Sequence, residues 1–110
     1  MKDIQTDLLQ GTLDLLVLKT LQAGPTHGWD IAQRIQQATD DYLRIEEGSL
    51  YPALHRMTNY KWLKAEWGTT ETNRKARFYR ITAAGRRQLQ EEETRWMQLT
   101  AAVGKALRFA

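Results

Sequence analysis

Cysteine is absent from the chain, which excludes a disulfide scaffold, a thiolate metal site and a cysteine nucleophile, and fits a reducing compartment. No apolar run reaches the roughly 18–20 residues that span a bilayer. The start, Met1-Lys2-Asp3 with Asp7 close behind, lacks the basic and then apolar character of a secretory leader. These absences point to a cytoplasmic protein. Histidine is scarce as well: His27 and His55 lie 28 residues apart, on different expected elements. No His/Asp/Glu spacing matches a closed zinc site, no glycine-rich phosphate loop follows a strand, and no carboxylate pair flanks a nucleophile. Neither catalysis nor a metal or organic cofactor is expected.

What is present is a chain of 110 residues with a net charge of +3, enough for one domain with a core that a second copy would help to cover. The charge is unevenly spread. Residues 1–48 hold four Lys/Arg against eight Asp/Glu, and residues 49–90 hold nine against two. A basic second half of this kind is what a nucleic-acid-binding face carries, although a solvated surface can show it too.

Residues 6–23 predict a first helix with leucines on nearly every side, including Leu9, Leu13 and Leu16. Such a helix has to be covered on nearly every side, and one small domain covers about two-thirds of it. A second subunit is expected to cover the rest. Ala23-Gly24-Pro25 ends this helix. A second helix over 28–38 turns Ile31, Ala32 and Ile35 inward, and Thr39-Asp40-Asp41 breaks it. The third helix opens near Glu47. Leu50, Ala53, Leu54 and Met57 recur at i, i+3, i+4 and i+7, and form its buried stripe. Its outer face carries Ser49, Tyr51, Pro52, His55, Arg56 and Asn59, and its hydroxyls, imidazole, guanidinium and amide hydrogen-bond to phosphates and base edges. With a cap at Gly48 or Ser49, Pro52 falls in the first turn, where its missing N–H costs little. The helix then runs to Asn59 or Tyr60. Arg56 is the foremost candidate for DNA contact, since a guanidinium forked onto guanine is worth roughly 1–3 kcal/mol of discrimination.

The alternating run over 63–67 predicts a strand with one buried face, and 77–81 predicts its partner with Tyr79 and Ile81 on one side. Between them, Asn73, Arg74 and Lys75 lie in a basic tip suited to phosphates or a minor groove. Thr82 caps a long last helix, and Gly85, a poor helix former, predicts close packing against the hairpin. Leu89, Trp96 and Val103 recur every seven residues, with Leu99 and Ala106 at companion positions and Glu92 at the remaining one. This is a coiled-coil seam of nearly three heptads. The expected fold is mainly α with a small β-hairpin: a winged helix-turn-helix over 1–82, and a dimerisation helix over 83–110. The expected dimer contacts are Leu9, Leu13, Leu16, Leu89, Trp96, Leu99, Val103 and Leu107.

Three pieces of the chain together resemble the short-tailed subfamily of PadR-type transcriptional regulators. They are Gly11-Thr12-Leu13-Asp14-Leu15-Leu16-Val17-Leu18 with His27-Gly28, then Glu47-Gly48-Ser49-Leu50-Tyr51-Pro52-Ala53-Leu54-His55-Arg56-Met57, and Arg77-Phe78-Tyr79-Arg80-Ile81-Thr82-Ala83-Ala84-Gly85. The resemblance implies a homodimeric repressor on a pseudo-palindromic operator. It implies DNA contact through Ser49, Tyr51, Pro52, His55 and Arg56 from the helix, and through Asn73, Arg74 and Lys75 from the wing. It also implies a second use for Trp96. By spacing Trp96 fills the seam; by resemblance it would stack on a flat aromatic or drug-like effector at the dimer interface. One departure stands out, for most relatives close the recognition helix with Gly where this chain has Lys61. Asn59 or Tyr60 is expected to take over the cap, or the turn to be shaped differently. An alternative reading is a winged-helix effector-sensing or protein-interaction module without specific DNA binding, which the acidic first half favours and the basic tip opposes.

Overall fold

A computed structural model describes residues 10–109. Leu9, an expected dimer contact, lies outside the described residues. The elements in chain order are α1 (Gln10–Gln22), β1 (Thr26–His27), α2 (Gly28–Ala38), α3 (Glu47–Asn59), β2 (Leu63–Thr69), β3 (Lys75–Ile81) and α4 (Ala83–Phe109). The architecture is helical with a small antiparallel sheet of strand order β1-β3-β2, as the sequence implies. The two-residue β1, which propensity does not announce, adds a third strand. It pairs Thr26 with Tyr79 and His27 with Phe78, and so ties the start of α2 to the hairpin. Among the described residues no helix is long and apolar enough to cross a membrane.

The core forms where the amphipathic faces of the first three helices meet the sheet. Val17, Leu18 and Leu21 of α1 pack with Ile31 and Ile35 of α2, the α3 stripe, and Leu63, Tyr79, Ile81 and Leu89. All four stripe residues, Leu50, Ala53, Leu54 and Met57, are at most 1 % exposed. The chain covers α1 more completely than its leucine content suggests. Leu13 and Leu15 are buried, and Leu16 is half-buried against the core.

Helix α3 opens at Glu47, but its N-cap is Glu46 and not Gly48 or Ser49, so Pro52 sits inside the helix and not in its first turn. The carbonyl deprived of its donor belongs to Gly48, which is exposed, so water can satisfy it and the interruption stays cheap. At the other end neither Asn59 nor Tyr60 adopts the left-handed cap. Tyr60 stays right-handed, and Lys61 takes φ 67°. The Trp62 amide donates to the Met57 carbonyl at 3.0 Å and the Lys61 amide to the Thr58 carbonyl at 3.0 Å. This paired closure normally uses glycine at the Lys61 position.

Immediately after this turn the chain is clamped to α4. The Thr82 hydroxyl shares its proton between the Lys61 and Trp62 carbonyls, at 2.6 and 3.0 Å, and accepts from the Gly85 amide at 3.0 Å. It therefore caps α4, as its sequence position implies. A Cβ on Gly85 would lie 2.2 Å from the Trp62 carbonyl oxygen and 2.8 Å from Ile81 Cγ1, which explains a glycine within a helix. Denaturant unfolding of two variants should give opposite signs. Gly85→Ala should lose about 2 kcal/mol or more through overpacking against backbone, and Lys61→Gly should gain up to about 1 kcal/mol by relieving the left-handed strain.

Candidate nucleic-acid interface

With its apolar stripe committed to the core, α3 leaves Gly48, Ser49, Tyr51, Pro52, His55 and Asn59 exposed. These positions repeat at helical spacing and make one outward face. Among the described residues the side chains of Ser49, Pro52 and His55 have no hydrogen-bond or ion-pair partner. Tyr51 is anchored on one side. A Cβ on Gly28 would come within 2.8 Å of its ring and 3.0 Å of its hydroxyl oxygen, so the glycine opening α2 makes room for the phenol. Partial burial, then the carboxylate of Glu47 and the phenol of Tyr79, push the Tyr51 hydroxyl up from its ordinary value. It remains a protonated donor at neutral pH.

Arg56 is placed differently from the rest. Its guanidinium Nη2 donates to Oδ1 of Asp14 on α1, an ion pair with the carboxylate 8 % and the arginine side chain 24 % exposed. Among the described residues Arg56 Nε is buried without a hydrogen-bond partner. The side chain thus faces inward at the α1–α3 contact, not outward with Ser49 and His55. Burial raises the Asp14 carboxyl above its ordinary value, outweighing the pull of Arg56, and the charge of Glu92 on α4 pushes the same way. Asp14 was not among the residues singled out from the sequence, yet a signal existed. It is the one acid among the leucines of α1, on the side that packs inward, and a buried carboxylate needs a cationic partner.

The hairpin tip turns through Thr70–Arg74. The Asn73 amide donates to the Thr70 carbonyl at 2.9 Å, the Thr70 amide to the Arg74 carbonyl at 2.8 Å, and Asn73 takes φ 64°. Asparagine tolerates that conformation well. Asn73, Arg74 and Lys75 are all exposed, on an element that packs beside α3 through β2. Trp67 departs from the buried face expected for its strand. It is 63 % exposed, because β2 extends past the core. Arg80 meets Glu66 at 2.8 Å on the outer side of the hairpin, and Lys64 is exposed there. Among the described residues no three of His, Asp and Glu converge in a way that could hold a metal ion.

On α4, Leu89 is buried within the chain at 2 % exposure. Further along, Trp96, Leu99, Val103 and Leu107 are exposed, as is Met97. The helix carries these residues past the domain, giving extents of 53 × 34 × 20 Å. Lys19 reaches Glu93 at 3.3 Å, and Glu92 accepts from Gln88 at 2.8 Å and from Arg95 at 3.1 Å.

A helix pair followed by a projecting hairpin, with the second helix displaying a polar outer face, defines a winged helix-turn-helix. A family-wide sequence profile described as the transcriptional regulator PadR-like family matches residues 17–91, and the chain belongs to that family. A transcriptional regulator from Clostridium thermocellum superposes with a TM-score of 0.81 at 28% identity, covering 90% of this chain and 96% of that one. A PadR family transcriptional regulator from Eggerthella lenta gives 0.75 at 33% identity, over 94% and 88% of the two chains. A PadR-like regulator from Bacillus cereus gives 0.76 at 25% identity, over 92% and 96%.

The ion pair makes a pH-dependent expectation. Arg56→Met leaves a buried carboxylate without its cation, and should cost about 3 kcal/mol at neutral pH. The folded state holds the Asp14 proton more tightly than the unfolded chain does. The penalty should therefore shrink as pH falls through the raised folded value toward the ordinary value of 3.8. Thermal melts of wild type and variant across that range check it. Adding Asp14→Leu should restore most of the loss at neutral pH.

Proposed function

We propose that the protein is a homodimeric repressor that binds a pseudo-palindromic DNA operator, with α3 in the major groove and the hairpin as a wing on the flanking backbone. The observation that carries this reading is the division of α3. The stripe residues of one face are at most 1 % exposed, while among the described residues no side chain bonds to Ser49, Pro52 or His55 opposite it. Ser49 and His55 can hydrogen-bond to base edges and phosphates, Tyr51 donates to a phosphate, and Pro52 supplies an apolar contact. Asn73, Arg74 and Lys75 grip from the wing. Arg56 acts in this reading by holding α3 at a fixed height against α1, and it reaches DNA only by leaving Asp14. A protein working on chromosomal operators acts in the cytoplasm.

The exposed seam of α4 supplies the second half of the proposal. Trp96, Leu99 and Val103 stand exposed at coiled-coil spacing, with Leu107 exposed just beyond them, and together they form an apolar strip to which we add Leu16 of α1. Pairing two copies along it removes the strip from water and sets two recognition helices at one spacing, as a palindromic site requires. Residues 1–82 then serve DNA and 83–110 serve pairing, with Leu13 and Leu89 bracing the interface from inside each subunit. A flat aromatic or drug-like effector stacked on Trp96 would change that spacing, which is the release route we propose.

Selection of bound duplexes from a random pool should yield an inverted repeat, with affinity falling steeply as salt rises. Ser49→Ala and His55→Ala should relax the preference at particular positions. Recovery of sequences no better than random would sink the operator reading. Sedimentation at micromolar concentration should give a dimer, and Val103→Glu should give a folded monomer with weakened operator binding. A wild-type monomer would remove the pairing half.

A further inference from the structure

The two faces of the hairpin are finished differently beyond the core. Strand β2 begins at buried Leu63 and runs to exposed Trp67, while β3 returns from exposed Lys75 to buried Ile81. The register pairs Leu63 with Ile81, Ala65 with Tyr79, Trp67 with Arg77 and Thr69 with Lys75. Side chains alternate along a strand, so these residues share one face. At its base that face is core. Further out it continues as an overhang, with the Trp67 indole flanked by Lys75 Nζ at 5.7 Å and the Arg77 guanidinium at 5.4 Å from the ring centroid.

On the opposite face Arg80 is neutralised by Glu66 at 2.8 Å. The Phe78 ring is also covered: it lies over Gly68, where a Cβ would come within 2.7 Å, and meets His27 edge-on at 5.3 Å. Trp67 has no such cover, and among the described residues no carboxylate pairs with Lys75 or Arg77. Two like charges held over one ring repel each other, and an indole left in water is a large apolar surface awaiting a contact. A phosphodiester strand answers both features. Its anionic oxygens suit the cations, and the apolar flank of a deoxyribose suits the ring.

We infer that Trp67, Lys75 and Arg77 form the grip of the wing on the DNA backbone, the indole lying on a deoxyribose and the cations on the adjoining phosphates. This rests on the DNA-binding reading above and adds Trp67 and Arg77 to it. Because the contact is to sugar and phosphate, it positions the duplex without reading sequence.

Binding of the full-length protein to a mixed-sequence duplex of about three helical turns at low salt isolates this backbone contribution. Trp67→Ala should weaken binding about tenfold, as loss of a buried aromatic anchor does. Trp67→Phe should recover part of that loss. Lys75→Ala and Arg77→Ala should each lower the slope of log affinity against log salt by about 1, whereas Arg80→Ala on the neutralised face should leave the slope unchanged. Tryptophan emission should change when duplex is added to wild type, and the change should disappear in Trp67→Phe. Wild type binding with all the variants within twofold of it, and the emission change retained in Trp67→Phe, would overturn the grip and leave the recognition helix standing. A wild type that binds no duplex would overturn both.

Discussion

The Trp62 carbonyl is where α3, the hairpin and the long last helix are joined. It accepts from the Thr82 amide at 3.0 Å and shares the Thr82 hydroxyl, and Gly85 passes so close that no side chain fits between. Trp62 follows α3 and precedes β2, while Thr82 follows β3 and precedes α4. One cluster of hydrogen bonds therefore sets three directions at once: that of the polar α3 face, that of the hairpin, and that of the exposed α4 seam. Lys61 accepts a left-handed conformation inside this cluster because both neighbours are already held. In that geometry the Met57 and Thr58 carbonyls accept from the Trp62 and Lys61 amides.

A second tie acts from the side. Asp14 and Arg56 link α1 to the middle of α3, with Glu92 of α4 close enough for its charge to be felt at Asp14. Buried ion pairs add little net stability, because desolvation offsets most of their attraction. Their effect is on position, since any sliding of α3 along α1 would leave a charge unpaired in a poorly hydrated place. Recognition by a helix depends on where it stands to within a fraction of an ångström, and here both its end and its flank are fixed by polar contacts with directional geometry.

Much of this is legible in the residues. The i, i+3, i+4, i+7 stripe of α3, the alternation of the hairpin and the Thr82 cap are local patterns, and local patterns have local causes. Four features lie beyond such patterns. The strand at Thr26–His27 exists because Tyr79 and Phe78 offer it a free edge. Trp67 alternates correctly but stands outside, because alternation says which face a residue takes and not how far the core extends beneath it. The first helix is leucine-rich all round, yet its own chain covers most of it. The cap at Lys61 follows from hydrogen bonds to Met57 and Thr58 that outweigh the glycine preference.

By itself, then, the sequence determined the order and type of the elements other than β1, the inward faces of α2 and α3, and which residues were chemically fit to meet a duplex. These follow from side-chain period and capping chemistry, which act within a few residues. Only the tertiary structure decided that Arg56, as polar as its neighbours and one position from His55, is bound inward to Asp14. It likewise decided that Trp67 with Lys75 and Arg77 is left outside. Both outcomes depend on partners far apart in the chain: Asp14 lies 42 residues from Arg56, and the edge of the core under β2 is built by helices that come before it. A residue type specifies what a side chain can bind, and packing specifies which of its possible partners it reaches.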